Sequence, residues 1–209
     1  SERHTGRSTF PREMEGQPVG AYLLITLDSD SEDQLYTLLE QAAELVLDAG
    51  AMDVLVADSP AKMRDAWAAR SAFLEVIMEE TKLLDECDVV VPVTKIASYL
   101  EFVNKTGEEC GLVIRSFGHA GDGNLHIYEC SNDLTEEEFK KRVDKFFDLI
   151  YKEASAQGGL VSGEHGIGSG KIQYLVESIG ETNMALMEGI KRVFDPKMIL
   201  NPGKVCYRL

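Results

Sequence analysis

Basic residues are scarce in this sequence, and their scarcity limits the possible partners. Only 21 Lys and Arg stand against 36 Asp and Glu, which gives a formal net charge of −15. Nucleic acids and anionic membrane surfaces bind clustered positive charge, so neither is an expected partner. No apolar run reaches the roughly 20 residues that cross a bilayer, so no transmembrane segment is predicted.

Cysteines are also few, and their spacing excludes two kinds of site. The four cysteines occupy positions 87, 110, 130 and 206, and no two of them form a C-x-x-C pair. A zinc knuckle and a dithiol redox motif are therefore excluded, and a reducing, cytoplasmic location is predicted, with peripheral membrane contact left open. No signal peptide is visible, and the opening Ser-Glu-Arg-His is what a piece of a longer chain would show.

Phosphate-binding loops are missing as well. The glycine-rich segment 162–171 ends in Gly-Lys, but Ile172 follows where a P-loop needs Ser or Thr. Its glycines, at 163, 166, 168 and 170, do not fit the G-x-G-x-x-G pattern either. No segment of this chain is thus predicted to hold the phosphates of a nucleotide cofactor.

The order of predicted elements indicates an α+β fold. Residues 88–162 follow the order β-α-β-β-α-β of the split βαβ plait found in ferredoxin-like folds. The strands are predicted at 88–93, 111–115, 125–129 and 160–161, and the helices at 94–107 and 135–158. We expect an antiparallel sheet with helices on one face and the other face left to meet a ligand or partner.

Residues 20–80 predict a second group of elements in the order β-α-β-α. Its strands fall at 22–27 and 53–57, and it resembles part of another plait that joins the same sheet. Two further helices are predicted at 171–179 and 182–194. Residues 1–18 are expected to be an arm or linker, and residues 19–209 a single domain.

A hairpin predicted around Asp122-Gly123 carries two of the four histidines in the chain. Asp-Gly suits a two-residue type I′ turn, because that turn needs a positive φ at both positions. With this loop His119 lies opposite His126 on one face, their Cβ atoms about 4.5–5.5 Å apart. Two imidazoles so placed can share a metal ion; ordinary hydrogen-bonded histidines are the alternative.

Glu164 and His165 place an acid and a base side by side in the glycine-rich segment. Glu164 is the expected third ligand, since a His₂-carboxylate set leaves coordination positions open for a substrate. Ordinary loop residues are the alternative. A regular strand at 159–162 would place Glu164 far from the hairpin, so the two predictions conflict. We prefer the prediction that Glu164 is a ligand over the prediction of this strand.

Three short motifs follow one another along the chain: HAGDGNLH at 119–126, GEHG at 163–166 and NPGK at 201–204. Together they resemble the carboxy-terminal, substrate-binding (cap) domain of FAD-linked oxidases. That group contains D-lactate dehydrogenases, glycolate oxidase and D-2-hydroxyglutarate dehydrogenase. The resemblance implies a ferredoxin-like plait. It also implies that FAD is bound mainly by an amino-terminal domain that this chain lacks, so that the chain alone is inactive.

The resemblance also implies roles for individual residues. His119, His126 and Glu164 are implied as ligands of a divalent zinc, iron or manganese ion. His165 is implied as the catalytic base, in contact with the substrate. Arg70 is implied to bind the substrate carboxylate, a task that suits its planar fork; a surface helix arginine is the alternative.

Three departures from the hydroxyglutarate branch of the family favour a short substrate. Threonine, lysine and asparagine of that branch are replaced here by Leu74, Glu86 and Tyr128. Because the replaced groups hold a longer diacid, their loss favours a small monocarboxylate such as lactate or glycolate.

The expected function is therefore the substrate- and metal-binding domain of an FAD-dependent 2-hydroxy acid dehydrogenase or oxidase. The expected partners are a small D-2-hydroxy acid, the FAD domain of the same polypeptide, and an electron-transfer flavoprotein or iron–sulfur subunit. The rival prediction is a non-catalytic metal- or ligand-binding regulatory plait module.

Overall fold

In the computed structural model residues 10–206 are described, and the chain divides into two units, Ser1–Ile77 and Met78–Leu209. Within the described residues, no helix combines the length and the apolar character needed to cross a membrane.

Helices dominate the described part of the first unit. Its elements are β1 (Glu13–Met14), β2 (Gln17–Pro18), α1 (Glu32–Asp48), α2 (Pro60–Ser71) and α3 (Phe73–Glu80), the last of which continues past the unit boundary. The two short strands pair with each other inside the predicted arm. Helices α1 and α2 begin where a serine hydroxyl, of Ser31 and Ser59, accepts a first-turn N–H group.

The strands predicted at 22–27 and 53–57 are not formed. Neither segment contributes to a described strand, and Leu23 and Leu55 are 65% and 60% exposed. Alternating apolar residues make a strand possible, but a strand exists only where its N–H and C=O groups pair with an adjacent edge. The prediction of a second plait in residues 20–80 is therefore wrong.

The second unit contains an antiparallel sheet with helices packed on one face. Its elements are β3 (Leu83–Val90), α4 (Ile96–Cys110), β4 (Val113–His119), β5 (Asn124–Ser131), α5 (Glu136–Ala156) and α6 (Ile172–Phe194). The strand order is β3-β5-β4, and a single antiparallel bridge joins Leu160 to Val90 on the other side of β3. With this bridge as a minimal last strand, the order is that of a split βαβ plait. The α+β prediction is confirmed.

Element boundaries differ from the prediction where tertiary pairing decides them and agree with it where a glycine does. Strand β3 begins at Leu83 because it pairs with β5 along its whole length, from Leu83 opposite Ser131 to Val90 opposite Asn124. Helix α6 has a non-helical residue at Gly180, with φ 76° and ψ 165°. It therefore consists of two helical segments, as the sequence predicts.

The core lies between the sheet and helices α4 and α5. Its buried members include Cys87, Val89, Leu125 and Ile127 from the strands and Tyr99, Val103, Val143, Phe146 and Ile150 from the helices. Burying a large apolar side chain contributes about 1.5–3 kcal/mol. Because strand side chains alternate, the strands that supply this core present their other residues on the opposite face. That opposite face carries the histidines.

Candidate metal and catalytic site

The β4–β5 hairpin differs in register by two residues from the prediction. His119 lies opposite Asn124 and His126 opposite Phe117, so the predicted direct pairing of the two histidines is wrong. A shift of two residues leaves both on the same face, because the side-chain period of a strand is two. Their ring centroids are 5.9 Å apart and the rings are nearly perpendicular, at 85°.

The length of the loop is the physical reason for this register. Four residues, 120–123, form the loop, and the carbonyl oxygen of His119 accepts the N–H groups of Asp122 and Gly123. A type I′ turn needs a positive φ at both central residues, but of Asp122 and Gly123 only Gly123 has one, 78°. The carbonyl of Gly123 accepts the N–H of Val91, and a Cβ at position 123 would overlap the Val91 carbonyl.

Asp88 holds the glycine-rich segment against the open face of the sheet. Its side chain is fully buried. Oδ2 accepts four hydrogen bonds, from the hydroxyl of Ser162 (2.8 Å) and the N–H groups of Gly163 (2.9 Å), Glu164 (3.0 Å) and His165 (2.9 Å). Burial alone would raise the pKa of Asp88, but the hydrogen bonds from His165, Ser162 and Glu164 and the ammonium of Lys171 lower it below its usual value.

The hydrogen bonds to the Asp88 carboxylate also explain why Glu164 lies beside the hairpin. Regular pairing ends after the bridge of Leu160 with Val90, and the chain then turns around the Asp88 carboxylate instead of continuing along β3. Asp88 lies opposite His126 in the sheet. Residues that bind the Asp88 carboxylate through their N–H groups are therefore placed beside His126.

Glu164 and the two hairpin histidines bring three potential ligand atoms together. One atom from each of His119, His126 and Glu164 lies within 4.8 Å of the other two. Glu164 Oε1 is 2.9 Å from His126 Nε2 and 3.9 Å from His119 Nδ1. Ligands bound about 2.1 Å from one ion lie roughly 3.0–3.4 Å apart, so small side-chain rotations produce a coordination set.

Asn124 supports this cluster from the sheet. Its amide Nδ2 donates to Glu164 Oε1 at 3.2 Å, and its Oδ1 is buried without a hydrogen-bond partner in the described part of the chain. Gly163 lies so close that a Cβ there would be 2.5–2.9 Å from this amide. Two imidazoles, a carboxylate and an unpaired amide oxygen form a donor set that fits a divalent cation such as zinc, iron or manganese.

His165 lies beside the ligand cluster rather than within it. Its ring centroid is 4.8 Å from that of His126, and its side chain is 44% exposed. Glu86 Oε1 lies 3.1 Å from His165 Nδ1 and 3.5 Å from His126 Nδ1. An exposed imidazole next to a carboxylate is chemically able to accept a proton from a bound ligand.

Sequence reasoning does not assign a site role to Glu86, which it notes only as a departure from the hydroxyglutarate branch, or to Asp88 or Asn124. One signal could have found the first two, because residues two apart on a strand share a face. Two acids with this spacing on one face of a strand indicate a site on that face rather than a core.

Arg70 lies in the last turn of α2, in the first unit, and its role stays a prediction.

Of the residues noted as departures, Tyr128 lies on the histidine face of β5 and stacks on Phe117, with ring centroids 5.1 Å apart.

The fold and the cluster define a class of domain: an α+β sheet that is covered by helices on one face and presents a His₂-carboxylate set on the other. The family is identified by comparison. The model of the family described as FAD linked oxidases, C-terminal domain, matches residues 4–205, and the chain belongs to that family. The resemblance stated from the three motifs is confirmed.

Three similar proteins carry the names D-lactate dehydrogenase and glycolate oxidase subunit. The chain is 58% identical over 209 residues to a D-lactate dehydrogenase of Anaerostipes hadrus, covering all of this chain and 44% of that protein. It is 36% identical over 209 residues to a D-lactate dehydrogenase of Archaeoglobus fulgidus, covering all of this chain and 43% of that protein. Glycolate oxidase subunit GlcD of Bacillus subtilis is 31% identical over 193 residues, 91% of this chain and 40% of the relative. The chain thus spans less than half the length of these relatives.

Proposed function

We propose that this chain is the substrate- and metal-binding domain of an FAD-dependent D-2-hydroxy acid dehydrogenase, with D-lactate as its substrate. One observation carries the proposal: ligand atoms of His119, His126 and Glu164 within 4.8 Å of one another, with the ring of His165 4.8 Å from that of His126. The 58% identity to a D-lactate dehydrogenase supports the choice of substrate. The replacement of diacid-binding groups by Leu74, Glu86 and Tyr128 supports a monocarboxylate.

The residues of this chain bind, orient and deprotonate the substrate. Arg70 binds the substrate carboxylate in a two-pronged ion pair. His165 accepts the hydroxyl proton while the α-hydrogen leaves with its electron pair, which converts the alcohol carbon to a ketone. His119, His126 and Glu164 would hold a divalent ion, which would supply Lewis-acid stabilisation of the charge on the hydroxyl oxygen. FAD, which a separate domain would hold, would supply the acceptor for the α-hydrogen and its electron pair together, as a hydride.

An electron-transfer flavoprotein or an iron–sulfur subunit would supply the further electron carrier. The name of the Bacillus subtilis relative, which is a subunit of glycolate oxidase, supports an assembly with other chains. The cytoplasmic location stays a prediction.

Metal binding is the first test. The chain should bind about one divalent ion, and His119→Ala should remove most of the affinity because it deletes a ligand. His4→Ala is the matched control, since it removes the one histidine that the proposal does not use. Unchanged metal content in a His119→Ala/His126→Ala double variant would refute the ligand assignment.

Catalysis is tested in protein that contains the flavin domain. With D-lactate, His165→Ala should slow flavin reduction in a single turnover by about 10²–10⁴-fold while flavin and metal stay bound. A regulatory module predicts otherwise: added metal would not increase affinity for D-lactate, and no hydroxy acid would reduce the flavin. Faster turnover of D-2-hydroxyglutarate than of D-lactate would contradict the proposed substrate.

A further inference from the structure

Glu86 occupies a position between two imidazole rings that the family motifs do not explain. It lies on β3 opposite Tyr128, and its side chain is 30% exposed. Its Oε1 is 3.1 Å from Nδ1 of His165 and 3.5 Å from Nδ1 of His126. A single carboxylate oxygen therefore faces the same nitrogen of both rings.

His126 directs its two nitrogens at two different carboxylates. Nε2 faces Glu164 Oε1 at 2.9 Å, and Nδ1 faces Glu86 Oε1 at 3.5 Å. A neutral imidazole has one N–H group and one lone pair, so only one of its nitrogens can bind an ion. If Nε2 is the ligand, then Nδ1 carries the hydrogen and points at Glu86.

The burial of these atoms supports such a pairing. Glu86 Oε1 and His126 Nδ1 are both buried, and within the described residues neither has a hydrogen-bond partner of good geometry. Leaving a buried donor and a buried acceptor unpaired is costly, and a small rotation of the Glu86 carboxylate brings it into line with the N–H group. The 6% exposure of the His126 side chain leaves little water to satisfy Nδ1 instead.

We propose that Glu86 is a positioning residue that keeps His126 and His165 in the Nδ1–H tautomer. The Nε2 lone pair of His126 is then directed at the ion, and the Nε2 lone pair of His165 is available to take the substrate proton. A carboxylate that orients a metal-binding histidine is a recurrent support of metal sites. This inference rests on the proposed function, and it assigns the protonated nitrogen of each ring.

A competing arrangement uses the same atoms differently. Glu86, His126 and His165 also offer ligand atoms within 4.8 Å of one another, so an ion could bind among them. Because neutral His126 has one lone pair, an ion there excludes binding through Nε2. In that arrangement Glu86 is a ligand and His165 cannot act as a base.

The tautomers are measured by long-range ¹H–¹⁵N spectra of the metal-free chain at about pH 8.5, well above the ordinary pKa of a free imidazole. We expect Nδ1–H for His126 and His165, and a shift of both toward Nε2–H in Glu86→Gln, with His119 unchanged. Asp85→Asn is the control, because it removes the same charge from the neighbouring residue on the opposite face of β3. Identical tautomers in Glu86→Gln and the parent would overturn the proposal.

Two further measurements separate positioning from ligation. Glu86→Gln should weaken zinc binding by about 10–100-fold, less than His119→Ala, and Glu86→Asp should restore part of the loss. In the flavin-containing protein, Glu86→Gln should lower kcat with little change in KM for D-lactate. Loss of zinc as complete as in His119→Ala would make Glu86 a ligand and overturn the proposal. A parent chain that binds no divalent ion would refute the proposed function, and the tautomer spectra would still decide the role of Glu86.

Discussion

The buried carboxylate of Asp88 accepts the backbone N–H of His165 at 2.9 Å, across 77 residues of sequence. This hydrogen bond, with those from the two preceding residues, fixes both Glu164 and His165 on the sheet through their backbone. The side chains of the segment are left to face the hairpin. The geometry of the candidate site therefore depends on a residue that is not itself a ligand.

Asp88→Asn should reduce both stability and metal affinity. The amide keeps an acceptor oxygen but loses the charge, so we expect a loss of about 1–3 kcal/mol in the free energy of unfolding, measured with urea. The control is Asp144→Asn, an exposed acid on α5.

The pH dependence of this effect has a definite sign. Because folding lowers the pKa of Asp88, its ionised form stabilises the fold above the unfolded pKa of about 3.9, and this contribution is lost as the pH falls through the folded pKa. The difference in the free energy of unfolding between the parent and Asp88→Asn should therefore become smaller in strong acid. A difference that widens in acid would contradict this assignment.

Gly163→Ala should damage the candidate metal site more than the fold. The added Cβ would lie 2.5–2.9 Å from the Asn124 amide, so either that amide or the segment carrying Glu164 must move. We expect a clear loss of zinc affinity in a chelator competition assay. Gly170→Ala is the matched control, because its Cβ meets no atom within 4 Å and its φ is not positive. Equal affinities of the two variants would show that the close approach at Gly163 is unimportant.

Glu129→Gln should stabilise the protein at neutral pH. Glu129 is fully buried on the helix-covered face, and burial, with the neighbouring Asp85 carboxylate, raises its pKa well above the usual value. The folded state keeps the proton while the unfolded state loses it above about pH 4.3, so the parent loses stability as the pH rises. A neutral amide removes this penalty, and we expect a gain of about 0.5–2 kcal/mol at pH 7.

The gain in stability from Glu129→Gln should become smaller toward about pH 4, where Glu129 of the parent holds its proton in both the folded and the unfolded state. Thermal unfolding across this pH range measures it. A gain independent of pH would mean that the carboxyl group does not titrate differently in the folded and unfolded states.

Arg70→Lys tests substrate binding in the flavin-containing protein. Lysine keeps the charge but loses the two-pronged geometry. If Arg70 binds only the carboxylate, KM for D-lactate should rise with little change in kcat, since ground state and transition state lose the same contact. A variant with parental KM would exclude this role.

Several features of this protein are local, and the sequence determines them by itself. The helix starts at Ser31 and Ser59 follow from hydroxyl capping of first-turn N–H groups. Hydrophobic periodicity predicts the α+β class, and it predicts which side chains of the hairpin lie on the core face and which on the opposite face. His119 and His126 share a face in either register because the strand period is two.

Tertiary structure decided the remaining features, because each depends on a partner distant in sequence. The segments at 22–27 and 53–57 have the pattern of strands, yet no described strand edge pairs with them. The hairpin loop has four residues because the carbonyl of Gly123 accepts the N–H of Val91 in another segment. The Asp122-Gly123 dipeptide by itself predicts a two-residue loop. Glu164 meets His126 because Asp88 turns the chain after a one-residue bridge, a long-range contact that no local pattern encodes.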